Sequence, residues 1–196
     1  MRKIAIIDYS VGNILSLKHA LTYIGYNPIV TNNLKLLERS THLILPGVGA
    51  FGFAMKRLKI KKLDSFIKDR VKKKIPIMGI CLGLQLLFEK SEEFGNSKGL
   101  GILKGNVKKI VAKKNKIPIT GWIETEDKKS YNKYFYYTHS YHCVPKSKKI
   151  ITNYYRIDNK KIISGIKFEN ITGYQFHPEK SSNHGLQLLK NFIEND

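Results

Sequence analysis

The stretch Ile75–Lys90, with the sequence IPIMGICLGLQLLFEK, decides the fold prediction. Its first six residues form a continuous apolar run of strand length, and the residues from Leu82 onward have the apolar spacing of a helix. Between them, Gly79 and Gly83 flank Cys81 at two positions on either side. A nucleophile between two such glycines, at a turn from strand to helix, is typical of a nucleophile elbow.

The elbow pattern has a physical reason. The turn is so tight that the central residue adopts strained backbone dihedrals, and side chains two positions away would collide with the neighbouring strand and helix. Cys81 is then expected to project from the carboxyl edge of a sheet at the start of a helix. A short motif of this kind can also surround a buried structural cysteine, so the motif alone leaves both interpretations open.

Outward from this stretch, apolar runs of strand length alternate with amphipathic segments through the first half of the chain. Strands are predicted at Lys3–Asp8, Pro28–Thr31, His42–Leu45 and Ile75–Ile80. Helices are predicted at Asn13–Gly25, at Ala50–Lys74 with a break near Lys59–Lys62, and at Leu82–Lys90. This alternation predicts a parallel sheet covered by helices on both faces.

The second half contains short β-rich runs separated by turn residues. Tyr134–His139 and Lys161–Phe168 are examples, and they indicate antiparallel strands, while Gly185–Glu194 predicts a closing helix. We therefore expect an α/β fold with a mostly parallel central sheet, helices on both faces and an antiparallel β extension. One domain is expected to span residues 1–196.

Composition excludes several classes of protein. The sequence has no run of about 18 apolar residues, which predicts no membrane span. The first apolar stretch is too short for a secretory signal and ends at Asp8, so we expect a cytoplasmic protein. The only two cysteines, Cys81 and Cys143, form neither a disulfide framework nor the paired spacing of a zinc site.

The formal net charge of +20 raises the alternative of a nucleic-acid-binding protein. The basic residues are mostly lysines scattered through polar stretches, which is typical of a solvated surface. Arginine, which binds phosphates and guanine edges better than lysine through paired hydrogen bonds, occurs only five times. We therefore expect no nucleic-acid partner, although the charge would suit an acidic partner surface.

A thiol nucleophile needs a base, and the base needs an orienting group. Among six histidines, His177 stands out within the sequence YQFHPE at 174–179. Residues two apart on an extended chain point the same way, so His177 and Glu179 are predicted to share a face. A surface His-Pro-Glu turn is the simpler interpretation of this segment alone, and the elbow makes the catalytic one preferable.

A third segment, LPGVGAFG at Leu45–Gly52, follows a predicted strand and should lie at the same sheet edge as Cys81. Its glycines would let the backbone approach a ligand closely, although a tight connection has the same composition. The segment lacks the spacing of a dinucleotide or P-loop motif, so it predicts no nucleotide site.

In this order, the segments resemble those of the class I glutamine amidotransferases, from one end of the chain to the other. Within that class the chain is similar to the glutaminase subunits of imidazole glycerol phosphate synthases, which serve histidine biosynthesis. The motifs that carry the resemblance are IAIIDYSVGN at 4–13, LPGVGAFG at 45–52, GICLGLQLLFEKSEE at 79–93, GLG at 99–101, GW at 121–122, THSY at 138–141 and GYQFHPEKS at 173–181.

The resemblance implies a catalytic triad in which Cys81 is the nucleophile, His177 the general base and acid, and Glu179 its orienting carboxylate. The implied oxyanion hole is formed by the backbone of Leu82, Val48 and Gly49. The residues implied to hold the substrate L-glutamine are Gly49, Gly52, Gln85, Glu93, Ser140 and Tyr141.

The same resemblance implies a partner. Trp122, Ile123 and Lys180 match positions that face a synthase (cyclase) subunit of the (β/α)8-barrel type, with which the chain would form a heterodimer and to which it would pass ammonia. No metal and no cofactor are implied.

One position departs from the family pattern. The family has an asparagine after Gly-Trp, and this chain has the apolar Ile123. The departure leaves open the alternative that the chain supplies ammonia for the amidation of a surface-polysaccharide sugar. A non-catalytic activating subunit is a further alternative, against which the complete set of Cys81, His177 and Glu179 argues.

Overall fold

The computed structural model describes residues 2–127 and 132–195, which form a nine-stranded sheet, a second sheet of four strands and flanking helices. The strands, numbered in chain order, are β1 (Ile4–Ile7), β2 (Ile29–Thr31), β3 (His42–Leu45), β4 (Ile77–Ile80), β5 (Phe88–Ser91), β6 (Ser97–Lys98), β7 (Leu103–Lys109), β8 (Ile119–Asp127), β9 (Asn132–His139), β10 (Tyr141–Pro145), β11 (Ile151–Ile157), β12 (Lys160–Phe168) and β13 (Ile171–Tyr174). The helices are α1 (Ile14–Tyr23), α2 (Leu34–Glu38), α3 (Phe51–Ile60), α4 (Leu63–Lys72), α5 (Leu82–Leu86) and α6 (Ser182–Asn195), with 3₁₀ helices at Lys148–Ile150 and Pro178–Lys180.

The large sheet has a parallel half and an antiparallel half. Strands β2, β1, β3, β4 and β13 are parallel neighbours in that order, and β12, β11, β8 and β9 continue the sheet with antiparallel pairing. The fold class predicted from the sequence, a parallel α/β sheet with an antiparallel extension, is confirmed. The strand order of the second sheet is β10, β7, β5 and β6.

Alternate residues of the parallel strands face two separate cores, as the period of a strand requires. On one face, Ile4 and Ile6 of β1 join a cluster with Leu21 of α1 and Phe192 of α6. On the other face, residues from β1, β3 and β4 pack with α3, α4, α5 and the second sheet. Burial on both faces explains why these strands are continuous apolar runs.

The break predicted inside the long helical segment is present, because α3 ends at Ile60 and α4 begins at Leu63. The connection turns at Lys62, whose φ of 57° lies in the left-handed region. The short helix α2 was not predicted; it is capped by the Asn33 side chain, which accepts from the backbone N–H groups of Lys35 and Leu36.

The helix predicted at Leu82–Lys90 is wrong in its second half. Helix α5 ends at Leu86, and the chain then enters β5, which pairs with β6 and β7 of the second sheet. Phe88 is fully buried there. A run as apolar as LQLLF fits a buried strand and a buried helix equally well, so the pattern alone could not locate the change.

Among the helices of the described ranges, none has both the length and the apolar character needed to cross a membrane.

Two leucines of α1 allow a matched test of the core on the α1 and α6 face. Leu21 is fully buried and Leu15 is 63% exposed. We expect Leu21→Ala to lower the free energy of unfolding by about 2–5 kcal/mol, because the substitution leaves a cavity. Leu15→Ala, the same change in the same helix, should cost less than about 0.5 kcal/mol. Urea unfolding of both variants measures the difference, and equal losses would contradict this description of the core.

Candidate active site

Cys81 lies at a strained turn between β4 and α5. Its backbone has φ 52° and ψ −113°, and its N–H donates to the Tyr174 carbonyl at 2.7 Å. A Cβ placed on Gly83 would lie 1.8 Å from the Leu45 carbonyl oxygen, and one on Gly79 would lie 2.8 Å from Leu84 Cα. The collisions predicted from the elbow pattern are therefore present on both sides of the cysteine.

The glycine-rich loop after β3 lies against the same turn. A Cβ on Gly47 would be 2.9 Å from both the Gly83 nitrogen and Leu82 Cβ, so only glycine allows this approach. Gly49 has a φ of 97°, again in the region that favours glycine. The loop is held by Tyr9, whose hydroxyl donates to the Pro46 carbonyl at 2.6 Å. Backbone N–H groups from two chain segments can therefore converge beside Cys81.

His177 and Glu179 meet as predicted, although by a different backbone path. His177 has extended dihedrals, but Pro178 begins a 3₁₀ helix, so the pair spans a tight turn and not a strand. His177 Nδ1 and Glu179 Oε1 are 2.8 Å apart, and the two side chains are only 2% and 4% exposed. The carboxylate therefore accepts the Nδ1 proton and directs Nε2 of the ring away from itself.

The charge state of His177 depends on its two neighbours. Burial alone would lower the pKa of His177, but the interactions with Cys81 and Glu179 outweigh burial and raise the pKa to about 10. No hydrogen bond of ordinary geometry is formed by His177 Nε2 within the described residues. Sulfur and imidazole are thus near enough to interact but are not aligned, which is common in unliganded active sites.

Ser181 ties this turn to the sheet, a role that no pattern in the sequence indicated. Its hydroxyl donates to the His177 carbonyl at 2.6 Å and accepts from the Tyr136 N–H at 2.9 Å. The His177 N–H in turn donates to the Tyr136 carbonyl at 2.9 Å. The backbone that carries the imidazole is therefore fixed to β9 by two hydrogen bonds, and a third closes the turn between Ser181 and His177.

A cavity of about 600 Å³ opens in front of Cys81. Most of the residues implied for the oxyanion hole and the substrate line it, namely Val48, Gly49, Leu82, Gln85, Glu93, Ser140 and Tyr141. Gly52 does not line this cavity. It lies in the first turn of α3, where a Cβ would be 2.9 Å from Ser97 Oγ, and it borders a different hollow.

Two of the implied substrate residues already have protein partners. Glu93 Oε2 accepts from the Phe51 N–H at 2.6 Å, which satisfies a free N–H group at the start of α3. Gln85 Nε2 donates to the Tyr141 carbonyl at 2.9 Å and to Gln175 Oε1 at 3.0 Å. Lys109 also lines the cavity and supplies a positive charge that the sequence analysis did not identify.

The second cysteine has a different environment. Cys143 is fully buried in β10, and burial, followed by the nearby charge of Cys81, raises the pKa of its thiol well above the usual range. A thiol held neutral is a poor nucleophile. Only Cys81 therefore combines access to the cavity with a neighbouring base.

Of the three residues implied at the partner surface, Trp122 and Lys180 contact the same tyrosine ring and Ile123 faces the core. Trp122 is 52% exposed and packs edge-on against Tyr136, and Lys180 Nζ lies 5.7 Å from the centre of the same Tyr136 ring. Ile123 follows Trp122 in β8 and packs partly buried against the core cluster of the antiparallel half. An isoleucine here is explained by this packing.

His139 is a further wall of the cavity. Its Nδ1 donates to the Tyr141 carbonyl at 2.8 Å, and its Nε2 accepts from the Tyr155 hydroxyl at 3.0 Å. Burial lowers the pKa of His139 to about 4. The ring is thus neutral and has one tautomer. Its low pKa makes it a weak base, and its acceptor nitrogen is already bonded to the Tyr155 hydroxyl.

Comparison with known proteins agrees with this geometry. A family model described as glutamine amidotransferase class-I matches residues 5–195. The chain is 42% identical to the imidazole glycerol phosphate synthase subunit HisH of Aquifex aeolicus, over 95% of this chain and 94% of that protein. It is 44% identical to the HisH subunit of Bacillus cytotoxicus, over 96% and 93%. The chain therefore belongs to the class-I glutamine amidotransferase family and, within it, to the family of HisH subunits.

Solved structures show the same fold at much lower sequence identity. One described as a glutamine amidotransferase superposes with a TM-score of 0.80 at 16% identity, covering 97% of both chains. The structure of PurLQS from Thermotoga maritima superposes with a TM-score of 0.76 at 19% identity, covering 98% of both chains.

The neutral His139 generates a pH-dependent prediction. Because its pKa is near 4 in the folded chain and about 6.5 in an unfolded one, the unfolded state binds more protons as pH falls between these values. Stability from this residue is present above pH 6.5 and is lost towards pH 4, by up to about 3 kcal/mol.

Urea unfolding at several pH values tests this prediction. His139→Gln should lose stability less steeply than the wild-type chain between pH 7 and pH 4. The same substitution at His19, on the exposed surface of α1, is the control and should leave the slope unchanged. Parallel slopes for His139→Gln and wild type would show that His139 is not held neutral.

Proposed function

We propose that residues 1–196 form one glutaminase domain that hydrolyses L-glutamine to glutamate and ammonia with Cys81, His177 and Glu179 as its triad. The ammonia passes to the synthase subunit of imidazole glycerol phosphate synthase, with the cytoplasm as the proposed location. The observation that carries the proposal is the strained Cys81 turn at the wall of the 600 Å³ cavity, beside a buried His177–Glu179 pair.

In the proposed reaction, Cys81 and His177 react as a thiolate–imidazolium pair, in which the proton from Sγ lies on His177 Nε2. The thiolate attacks the side-chain amide carbon of glutamine. The oxyanion that forms is stabilised by backbone N–H groups of Leu82 and of the loop at Val48 and Gly49. The tetrahedral intermediate collapses to a thioester, and ammonia departs with the proton from His177. Water, deprotonated by His177, then attacks the thioester and releases glutamate and the thiol.

Glu179 keeps the imidazole oriented through these steps. Its Oε1 accepts the Nδ1 proton, so Nε2 is free to take and return the catalytic proton. The negative charge also stabilises the imidazolium that exists while sulfur carries a negative charge or is bound to substrate.

The proposed partner is a (β/α)8-barrel synthase subunit in a heterodimer. Support comes from the HisH relatives, which are named as subunits of imidazole glycerol phosphate synthase. The proposed docking surface contains the exposed Trp122, the partly buried Tyr136 ring beside it and Lys180 next to that ring. Tryptophan and tyrosine are enriched among the residues that contribute most to protein interfaces. The packing of Ile123 removes the main reason to prefer a sugar-amidating partner, because its side chain serves the core.

The chemical part of the proposal is tested by removing one thiol at a time. Cys81→Ala should lower the rate of glutamine hydrolysis by about 10⁴-fold or more, because a triad without its nucleophile retains little activity. Cys143→Ala is the matched control and should retain activity wherever it remains folded. Ammonia release measured with the synthase partner and its acceptor present gives the rates, and undiminished release by Cys81→Ala would overturn the mechanism.

The proposed partner is tested by growth. The chain, co-expressed with the barrel subunit of its own organism, should restore growth without histidine to a bacterium that lacks both subunits. Trp122→Ala should slow this growth, since a tryptophan at the centre of an interface contributes about 2 kcal/mol or more. Tyr23→Ala, which removes an aromatic side chain 80% exposed on α1, should not. Folded protein that hydrolyses glutamine but gives no growth would favour the sugar-amidation alternative.

A further inference from the structure

Gln175 lies in direct contact with the sulfur of Cys81, and nothing in the reaction described above uses it. The residue is fully buried, and its Nε2 lies 3.6 Å from Cys81 Sγ, within hydrogen-bond distance for sulfur. We propose that Gln175 is a catalytic residue that donates a hydrogen bond to the Cys81 thiolate and stabilises it, with Gln85 as the positioning residue that orients the Gln175 amide. This inference rests on the proposed function, in which Cys81 is the nucleophile.

The orientation of both amides follows from the groups around them. The Tyr141 carbonyl can only accept, so the end of the Gln85 amide that faces it at 2.9 Å must be the NH₂ group. The second hydrogen of that NH₂ then meets Gln175 at 3.0 Å, which fixes the Gln175 oxygen on that side. The Gln175 NH₂ group is consequently turned towards Cys81 Sγ.

The contact distinguishes the two states of the sulfur. In the thiol state, Sγ–H donates to the Thr138 carbonyl at 3.9 Å, a bond that a thiolate cannot make. The bond from Gln175 becomes charge-assisted and stronger once the proton has moved from Sγ to His177 Nε2. The Thr138 carbonyl therefore favours the thiol form of Cys81, and the Gln175 amide favours the thiolate.

The backbone fixes the relative positions of the Gln175 amide and the Cys81 sulfur. Cys81 N–H donates to the Tyr174 carbonyl at 2.7 Å, and the next residue, Gln175, donates its own N–H to the Ser164 carbonyl at 2.8 Å. Because β4 and β13 are paired directly before these two residues, the distance between amide and sulfur is set by the sheet. Such fixed donors cost no reorganisation during the reaction.

The hydrogen bonds from Cys81 through Gln175 and Gln85 end at Tyr141. Both Gln85 and Tyr141 line the cavity. The bonds to Tyr141 and Gln175 use both N–H groups of the Gln85 side chain. A substrate contact made by that side chain must therefore be accepted by its Oε1. Glutamine supplies N–H donors, so the substrate would bind to Gln85 without displacing the orientation of Gln175.

The test measures alkylation of Cys81 by iodoacetamide in the full chain, with peptide mass spectrometry separating Cys81 from Cys143. Gln175→Met removes the donor at similar volume, and we expect about tenfold slower alkylation at pH 7. The midpoint of the rate against pH should rise by about one unit. Gln175→Glu keeps the volume and adds a repelling carboxylate, so its profile should move at least as far. Gln187→Met, which removes an exposed amide of α6, should match wild type.

The outcomes separate this inference from the proposed function. Alkylation of Cys143 reports unfolding in the same molecules, because this buried thiol reacts only if the core opens. If Cys143 reacts in Gln175→Met, the comparison of Gln175→Glu with wild type tests the role of Gln175. A Cys81 profile unchanged in the folded variants overturns the role of Gln175, even while wild type hydrolyses glutamine. A shifted profile in a chain that releases no ammonia from glutamine, even with the synthase partner and its acceptor present, supports that role and overturns the proposed function alone.

Discussion

The close approach of Gly83 to the Leu45 carbonyl is the constraint on which the rest of the site depends. A Cβ at this glycine would be 1.8 Å from that oxygen, so α5 can lie against the end of β3 only with hydrogen at this position. The Gly47 loop lies beside Leu82 at this point, and Cys81, two residues before Gly83, has a positive φ. The positions of the cavity, the Gly47 loop and the Cys81 thiol therefore all depend on the contact between Gly83 and Leu45. The buried clusters on both faces of the sheet stabilise this contact.

Around that contact, the surroundings of His177 and of Cys81 act in opposite directions on the charge of each side chain. Burial disfavours a charged His177, whereas Glu179 and Cys81 favour it, and the balance raises its pKa. The sulfur faces a carbonyl from Thr138 and an amide from Gln175. In both cases one influence favours the neutral form of the side chain and another favours the charged form. A small change in the distance between these groups can therefore transfer the proton between Cys81 and His177 while the fold stays the same.

The sequence predicted the parallel half of the sheet, the elbow and the His177–Glu179 contact, because each depends on local patterns of glycine, apolar residues or a short spacing. It failed where tertiary contacts decide. The end of α5 at Leu86 is set by the second sheet, with which the following strand β5 pairs. Gln175 and Ser181 stood within a recognised motif, but their roles require hydrogen bonds across the fold that no spacing reveals.

The glycine contacts around Cys81 have a consequence for how such a protein can change over time. Where neighbours meet through carbonyls, amides and Cα atoms, the geometry is specified by atoms that every amino acid possesses. Exposed side chains take no part in these contacts, so substitutions on the lysine-rich surface leave this geometry unchanged. Solved structures at 16% and 19% identity retain the same architecture. A lineage can drift far in composition while a handful of glycines preserves the shape of its reactive centre.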